Sequence, residues 1–246
     1  MKSLPYTLST HRPSQLGMIV LQSDETVEMD LRHLLPTEAE LLVTRIPSSP
    51  TVSSDGLGQM ERDVTGAASL LPRGARLSVV GFGCTSGTAQ IGAARIADLT
   101  RKGVETAAVT NPVSALIAAC AHLGVTRLAL VSPYVEEVSH RLMEVLAEAG
   151  ITIAAFASFN EAREDRVVRI APQAIVDAAR ATAEDAPCDA VFLSCTNMRT
   201  LDVIAPIEAE LGLPVLSSNL VLAWHMARLA GVSGPLGIDA ALTRAR

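Results

Sequence analysis

Two cysteines stand in matching sequence contexts, and their type and spacing point to chemistry. Cys84 lies in Val-Val-Gly-Phe-Gly-Cys-Thr-Ser-Gly-Thr (79–88), where an apolar run ends at Gly83 and an Ala-rich helical pattern follows. Cys195 lies 111 residues later in Asp-Ala-Val-Phe-Leu-Ser-Cys-Thr-Asn (189–197), again after an apolar run. Each pattern predicts a buried strand that delivers a Cys-Thr pair to a helix start. We therefore expect both thiols at strand ends, beside free backbone N–H groups.

Such a pair of thiols suits proton transfer at carbon. A cysteine is a base or nucleophile only as thiolate, and a free thiol with a pKa of about 8.5 is mostly protonated at neutral pH. We expect the N–H groups and dipole of each helix start to lower that pKa and to bind a carboxylate. The donors Thr85, Ser86, Thr196 and Asn197 would meet charge developing on the carboxylate. This chemistry requires no metal and no organic cofactor.

Each candidate residue also has a purely structural interpretation. A single cysteine in an apolar segment is most often a small buried hydrophobe, and we interpret Cys120 in that way; Cys188, beside Pro187 before a strand, is also assigned no role. The matched contexts favour catalysis for the other two. Tyr134 is a candidate substrate contact or a strand-end aromatic, and Asn160 a contact or a turn former. Arg45 either binds a substrate carboxylate or forms an ion pair at the surface.

The glycines around the first cysteine permit a competing hypothesis. Gly81, Gly83 and Gly87 fit GxGxxxG after a strand, a loose form of the dinucleotide-binding fingerprint. The acidic residue expected after the following strand is missing, because that strand runs into Thr110 and Asn111. No Lys-Ser/Thr follows the last glycine, so the segment is not a P-loop. Nucleotide binding is therefore disfavoured.

Composition limits the class of protein. Of 246 residues, 49% are hydrophobic and only 3% aromatic, which suits aliphatic packing of helices on parallel strands. The net charge of −6 and the lack of a long basic run weigh against nucleic acid or an anionic membrane as partner. The four cysteines form no CxxC, and the five histidines show no metal-ligand spacing. We see no targeting segment and no transmembrane run, and we expect a cytoplasmic protein with free thiols.

Strand and helix patterns alternate along the whole chain and predict an α/β protein with parallel sheets. We expect two pseudo-symmetric α/β lobes, residues 1–110 plus 217–246 with Cys84 and residues 111–216 with Cys195. Ligands of such sheets collect at the carboxyl ends of the strands, so the site is expected in the cleft between the lobes. We also predict helices over 57–71 and 88–102, a helix N-cap at Ser23 or Asp24, and a lid in the polar segment 47–58.

The combination of motifs resembles the maleate isomerase and arylmalonate decarboxylase branch of the aspartate/glutamate racemase superfamily. The resemblance covers nearly the whole chain. It rests on Gly17-Met-Ile-Val with Glu28, Thr44-Arg45-Ile46, Gly83-Cys84-Thr85-Ser86, Ser132-Pro133-Tyr134, Ser158-Phe159-Asn160, Ser194-Cys195-Thr196-Asn197-Met198-Arg199, and Pro214-Val215-Leu216-Ser217-Ser218-Asn219 followed by Trp224. It implies two Rossmann-like lobes, a homodimer or larger assembly, and a cofactor-free site between the lobes.

The resemblance also implies roles for individual residues. Cys84 would add to the substrate double bond, as in maleate isomerases, and Cys195 would donate or accept a proton. Racemases use both thiols as opposed acid and base. Tyr134 and Asn160 would contact the substrate. Decarboxylase members keep only the second cysteine, so Cys84 argues against decarboxylation.

One segment departs from the family pattern. Maleate isomerases usually carry Pro-Ser-x-Asn after the first strand, whereas this chain has Leu-Gln-Ser-Asp at 21–24. A charged Asp24 would repel a dicarboxylate unless it is protonated or paired with a cationic group of the substrate, which favours a substrate bearing an amine. The pattern over 21–28, with Arg12-Pro13 upstream, looks like the ectoine-utilisation A proteins. We predict a cofactor-independent isomerase or racemase of a small carboxylic acid; an arylmalonate-type decarboxylase and a non-catalytic acid-binding protein stay open.

Overall fold

Two four-stranded parallel sheets take up the apolar runs of the chain. The computed structural model describes residues 1–10 and 12–245; His11, one of the five histidines considered above, and Arg246 lie outside the described residues. The strands are β1 Ser14–Leu21, β2 Ala39–Ile46, β3 Leu77–Gly83, β4 Thr106–Thr110, β5 Arg127–Ser132, β6 Thr152–Ser158, β7 Ala190–Leu193 and β8 Val215–Ser217. The first sheet has the order β2-β1-β3-β4 and the second β6-β5-β7-β8.

Helices connect the strands and cover the sheets. They are α1 Val27–Leu34, α2 Ser54–Gln59, α3 Val64–Ala68, α4 Thr85–Ile91, α5 Ala93–Gly103, α6 Pro112–Leu123, α7 Glu136–Glu148, α8 Glu164–Val167, α9 Pro172–Asp185, α10 Leu201–Leu211, α11 Ser218–Leu229 and α12 Ala241–Arg244, with a 3-10 turn at Met60–Arg62. No helix in the described part of the chain is long and apolar enough to cross a membrane.

The central strands are buried because helices cover both of their faces. In β1, Leu16, Met18 and Ile19 have no exposed surface, and in β7 the whole strand is buried. Strands buried on both faces carry continuous apolar runs rather than alternating ones, as these do. The predicted α/β class with two parallel sheets is confirmed.

The two sheets repeat one strand order. Within each sheet the order is second, first, third, fourth, and all pairings are parallel. The third strand leads to Cys84 in the first half and to Cys195 in the second. The first strand leads to Asp24 in one half and to Tyr134 in the other. The sheets use residues 14–110 and 127–217; the lobe boundaries drawn from the sequence stay a prediction.

Helix α11 returns the chain from the second sheet to the first half. It follows β8 directly and packs on α6, α1 and β3. Ser217 caps its start by accepting a hydrogen bond from the N–H of Leu220 (3.2 Å). The first residues of α11, Ser218 and Asn219, are thereby buried beside the turns that follow β3 and β7.

Three local predictions were wrong in detail. The helix expected over 57–71 is divided into α2, the 3-10 turn and α3, in a segment weakened by Gly58 and Gly66. The helix expected over 88–102 begins earlier, at α4, and breaks at Gly92, whose φ of 95° is readily adopted only by glycine. The residue in the N-cap position of α1 is Thr26, which makes no side-chain capping bond, whereas the capping oxygen is the one predicted at Asp24, since its Oδ1 accepts from the N–H groups of Thr26 and Val27.

Candidate active site

Both cysteines of the matched pair line one enclosed cavity at the carboxyl ends of the two sheets. Eight of the ten predicted site residues lie there, together with three that were not predicted. The lining comprises Leu21, Ser23, Asp24, Cys84, Thr85, Ser86, Tyr134, Glu164, Cys195, Thr196 and Asn197. The structure therefore brings both thiols and all four predicted hydroxyl and amide donors to the same place.

Cys84 is the N-cap residue of α4. Its Sγ accepts a hydrogen bond from the N–H of Gly87 (3.1 Å), and its carbonyl accepts from the N–H of Thr88 (3.0 Å). A Cβ at Gly87 would lie 2.9 Å from that sulfur, so the close approach requires glycine. Thr85 and Ser86 occupy the first positions of α4, where N–H groups have no partner within the helix.

Cys195 lies in an irregular turn rather than at a helix start. Helix α10 begins only at Leu201, so the predicted placement of Cys195 at a helix start is wrong. Its Sγ instead accepts from the N–H of Asn197 (3.2 Å) and lies 3.0 Å from the Tyr134 hydroxyl. The sulfur is thus held by one peptide N–H and one phenol.

The expected lowering of the thiol pKa values is also wrong. Burial raises the pKa of Cys84 to about 12; the Gly87 N–H opposes this rise, and the negative charges of Glu164 and Asp24 add to it. Burial and then the charge of Glu164 raise the pKa of Cys195 well above its ordinary value, against the hydrogen bond with Tyr134. Desolvation outweighs the helix terminus at these positions. At neutral pH this direction of the shift favours the thiol form of both sulfurs.

Ser218 links the two cysteine-bearing turns. Its Oγ lies 2.8 Å from Thr85 Oγ1 and accepts a hydrogen bond from the Cys195 N–H (3.0 Å). Thr196 Oγ1 donates to the Gly83 carbonyl (3.3 Å), a second bond between the halves. These bonds fix the two thiol-bearing turns relative to one another.

Asp24 contributes a carboxylate oxygen that no protein group satisfies. Its Oδ1 accepts from the N–H groups of Thr26 and Val27, both at 2.8 Å, which satisfies the first donors before α1. Its Oδ2 is buried without a hydrogen-bond partner, although the side chain is only 4% exposed. Burial raises the pKa of Asp24, and the two N–H groups oppose that rise. This oxygen is therefore available to accept a hydrogen bond from a group that enters the cavity.

Glu164 is the functional candidate that the sequence did not reveal. It begins α8, is 5% exposed, and accepts hydrogen bonds from the Tyr134 hydroxyl and from Asn197 Nδ2, both at 2.7 Å. Burial raises its pKa, and the same two hydrogen bonds oppose that rise. The surrounding segment reads as an ordinary polar loop, so no local pattern marks this residue.

Two predicted contacts lie outside the cavity. Arg45 donates to the carbonyls of Leu21 and Asp24, both at 2.9 Å, and its guanidinium pairs with Glu28 (3.3 Å), partly exposed. Asn160 is exposed, with a φ of 53° and its N–H bonded to Ser158 Oγ. Arg45 therefore forms an ion pair and Asn160 forms a turn, which are the structural interpretations considered for them.

The predicted lid segment covers an adjoining cavity that shares Cys84, Tyr134 and Glu164 with the site. Its backbone pairs with the second half: the Val52 N–H donates to Ala162 (2.8 Å), and the Glu164 N–H donates to Pro50 (3.0 Å). The segment therefore covers the side of the site that carries Cys84 and, through the latter bond, holds the backbone of Glu164.

Comparison with known proteins identifies the family. The family model described as arylmalonate decarboxylase matches residues 16–237, which is most of the chain. The chain belongs to the arylmalonate decarboxylase family. Arylmalonate decarboxylase of Bordetella bronchiseptica is 36% identical over 110 residues, 44% of this chain and 46% of that protein. The chain therefore aligns with less than half of that relative. Maleate isomerase of Geobacillus stearothermophilus is 27% identical over 219 residues, 83% of this chain and 86% of that protein.

Solved structures of the arylmalonate decarboxylase family share the whole fold. A liganded arylmalonate decarboxylase mutant, with one glycine changed to cysteine and one cysteine to serine, superposes with a TM-score of 0.85. It is 26% identical in sequence, and the match covers 94% of this chain and 99% of that one. The predicted maleate isomerase and arylmalonate decarboxylase branch is thereby confirmed.

The cavity of this family member is acidic and lined with thiols. Among its lining residues in the described chain there is no Lys, Arg or His, whereas Asp24 and Glu164 are both carboxylic acids. No group of three or more His, Cys, Asp or Glu side chains within residues 1–10 and 12–245 is arranged to hold a metal ion. The groups available for chemistry are therefore two thiols, a phenol, two carboxyls and the surrounding N–H and hydroxyl donors.

Proposed function

We propose that this chain is a cofactor-independent isomerase or racemase of a small carboxylic acid, with Cys84 and Cys195 as its reacting groups. The observation that carries the proposal is that equivalent strand ends of the two halves deliver one thiol each to a single cavity. The relationship to a maleate isomerase over 83% of the chain supports the reaction class.

In the racemase form, the two thiols act on opposite faces of one carbon. A thiolate takes the α-proton, so that an S–H bond forms as the C–H bond breaks and the electron pair moves into the substrate carboxylate. The N–H groups of α4 and the hydroxyls of Thr85 and Ser86 would meet the charge that develops there, and the Thr196 hydroxyl would join them by giving up its bond to the Gly83 carbonyl. The other thiol then returns a proton to the carbon and leaves as thiolate.

In the isomerase form, one sulfur forms a covalent bond. Cys84 loses its thiol proton to solvent, and its sulfur adds to one carbon of a double bond while the Cys195 thiol protonates the neighbouring carbon; the remaining single bond then rotates. The sulfur is then expelled as the trans double bond forms, so that no atom is gained or lost. A covalent intermediate replaces a hard rotation by two easier steps. Cys195 serves as proton donor and acceptor at the neighbouring carbon.

The acidity of the cavity supports a substrate that carries an amine. Asp24 Oδ2 has no partner within the protein, and an ammonium group of a bound amino acid would supply both a donor and the opposite charge. We therefore propose an amino acid as substrate, and the sequence pattern over 21–28 makes a product of ectoine breakdown the first candidate. A doubly anionic acid such as maleate would face Asp24 and Glu164 without a cation.

The test is incubation in heavy water with a panel of chiral amino acids and unsaturated dicarboxylates. We expect deuterium at the α-carbon with loss of optical purity for a racemase, or a cis-to-trans change for an isomerase. Cys84→Ser and Cys195→Ser should each lower turnover by orders of magnitude, whereas Cys120→Ser, at a buried cysteine outside the cavity, should retain it. Asp24→Asn should shift preference toward dicarboxylates. Two fully active single mutants at the cavity cysteines would refute the two-thiol assignment.

Decarboxylation is the second candidate function. The family model and the relative from Bordetella bronchiseptica both carry the name arylmalonate decarboxylase, which favours it. In that reaction a malonate-type acid loses carbon dioxide, and a thiol protonates the resulting carbanion. Release of carbon dioxide from substituted malonates, with Cys84 dispensable and Cys195 required, would select it over isomerisation.

We also propose that the protein is cytoplasmic and forms a homodimer or a larger homo-oligomer. Both proposals rest on the sequence and on the resemblance described above. Light scattering coupled to gel filtration measures the mass in solution, and a monomer at micromolar concentration would reject the assembly.

A further inference from the structure

A single hydroxyl proton lies between two acidic groups in the cavity. The Tyr134 hydroxyl is 2.7 Å from Glu164 Oε1 and 3.0 Å from Cys195 Sγ. A phenol has one proton to donate, so at any moment it can donate to only one of the two. When it donates to the carboxylate, it can accept from the thiol; when it donates to the sulfur, the bond is strong only if that sulfur is a thiolate.

The surroundings hold this chain of three groups in place. Tyr134, Glu164 and Cys195 are 6%, 5% and 2% exposed. Asn197 contacts both ends, because its Nδ2 donates to Glu164 Oε2 (2.7 Å) and its N–H donates to Cys195 Sγ (3.2 Å). Asn197 Oδ1 is in turn fixed by the Glu25 N–H (2.9 Å).

The titratable groups that surround Tyr134, Glu164 and Cys195 in the cavity are all acids. Asp24 and Cys84 line the same cavity and interact electrostatically with Glu164. In the described chain no Lys, Arg or His side chain lines the cavity to compensate a second negative charge. A thiolate beside an ionised Glu164 is therefore costly, whereas moving the thiol proton onto the carboxylate keeps the total charge constant.

We propose that Glu164 is a positioning residue that holds the proton of Cys195 through the Tyr134 hydroxyl. The inference rests on the proposed function, in which Cys195 must alternate between thiol and thiolate. The Cys195 Sγ–H bond breaks and its proton passes to Tyr134 Oη, while the phenol proton passes to Glu164 Oε1. The products are a thiolate, a neutral phenol and a neutral carboxylic acid, and the reverse transfer restores the thiol. The thiolate then accepts from Tyr134 and from the Asn197 N–H.

The proposal makes a specific statement about pH. Two groups that share one proton titrate as a pair, and between the two macroscopic pKa values the partition of that proton does not change with pH. The thiolate that this one-proton state contributes is then constant, and the total thiolate fraction of Cys195 rises again only where the doubly ionised state becomes the larger source. A thiol that ionises only to solvent instead gains thiolate about tenfold per pH unit until its pKa is reached.

The test measures labelling of Cys195 without any substrate. The full chain is treated with methyl methanethiosulfonate, a small neutral thiol reagent, from about pH 5 to about pH 10, on both sides of the ordinary thiol pKa. Mass spectrometry reports each cysteine separately. We expect a Cys195 rate that is flat over about two pH units in the wild type, and a rate that rises about tenfold per unit in Glu164→Gln and Tyr134→Phe. Cys84, in the same samples, should rise with unit slope in every variant.

Each result of the labelling experiment either supports or overturns the proposed proton transfer. A wild-type Cys195 rate that rises tenfold per unit throughout, or a flat interval that survives in Glu164→Gln, would overturn the proposal. Absence of labelling at every pH would also overturn it, because a sulfur closed to this reagent cannot exchange a proton with a substrate. Labelling of buried Cys120 reports unfolding of a variant, and the wild-type profile alone then decides. The protein could show the flat Cys195 labelling rate and yet turn over none of the amino acids and dicarboxylates in the heavy-water test. That result would refute the proposed function but not the proton transfer.

Discussion

Asp30 is expected to make the stability of this protein fall as the pH rises above about 4. The side chain lies on α1, and its Oδ2 accepts a hydrogen bond from Asn219 Nδ2 (2.7 Å). Asn219 Nδ2 also donates to the Thr196 carbonyl (2.8 Å), so this contact supports the turn that carries Cys195. Burial raises the pKa of Asp30 from 3.8 to about 6, against the hydrogen bond from Asn219.

The magnitude follows from that shift. A raised carboxyl pKa means that ionisation is easier in the unfolded chain, so the contribution to stability is complete below pH 3.8 and is lost as the pH rises to about 6. The rise from 3.8 to about 6 is about two units, and each unit corresponds to about 1.4 kcal/mol. The loss of unfolding free energy attributable to Asp30 is therefore at most about 3 kcal/mol, and it is constant above about pH 6.

Asp30→Asn isolates this effect. The asparagine carbonyl can still accept from Asn219, while the charge is removed. Urea unfolding between about pH 4 and about pH 8 should show equal stability at the acid end and a more stable variant at the alkaline end, by up to about 3 kcal/mol. Asp98→Asn, at an exposed position of α5, is the matched control and should follow the wild type at every pH. A difference between Asp30→Asn and wild type that does not change with pH would refute the reasoning.

Three further substitutions test the local structure. Gly103→Ala should lower the unfolding free energy by about 2 kcal/mol, since the new Cβ would overlap the Thr65 carbonyl, whereas Gly58→Ala meets open space and should not; urea midpoints compare them. Asn111→Ala removes the cap of α6 and should cost about 1 kcal/mol in the same assay, and an unchanged midpoint would contradict the capping role. Val52→Pro removes the N–H that the lid segment donates to the Ala162 carbonyl, so limited proteolysis within 47–59 should become several-fold faster. An unchanged cleavage rate would show that this hydrogen bond does not hold the lid segment in place.

Local signals explain what the sequence predicted well. Arg127–Ser132 is bounded as expected, because an apolar run between polar ends defines a buried strand. Helix α6 begins at Pro112 after the cap residue Asn111 and ends at Leu123 before Gly124, whose φ is 72°, so both ends have capping chemistry that is visible in the sequence. The strand-end positions of Asp24 and Tyr134 follow from the same patterns.

Contacts between distant segments explain what the sequence did not predict. Glu164 becomes a site residue only because Tyr134, 30 residues away, and Asn197, 33 residues away, donate hydrogen bonds to it. The direction of the pKa shift of Cys84 was also missed, since the helix terminus is a local feature while burial depends on the whole fold. The contacts of Glu164 and the burial of Cys84 both depend on segments far apart in the sequence, so neither can be predicted from a short window of residues.

The repeated strand order has a kinetic consequence for a reversible reaction. Were the halves identical, both thiols would have the same acidity. Here a peptide N–H of a helix holds one sulfur, while a phenol beside a carboxyl holds the other. The two thiols therefore differ in acidity. In a racemisation the two enantiomers would show unequal kcat and unequal KM, while their equilibrium ratio stays at one.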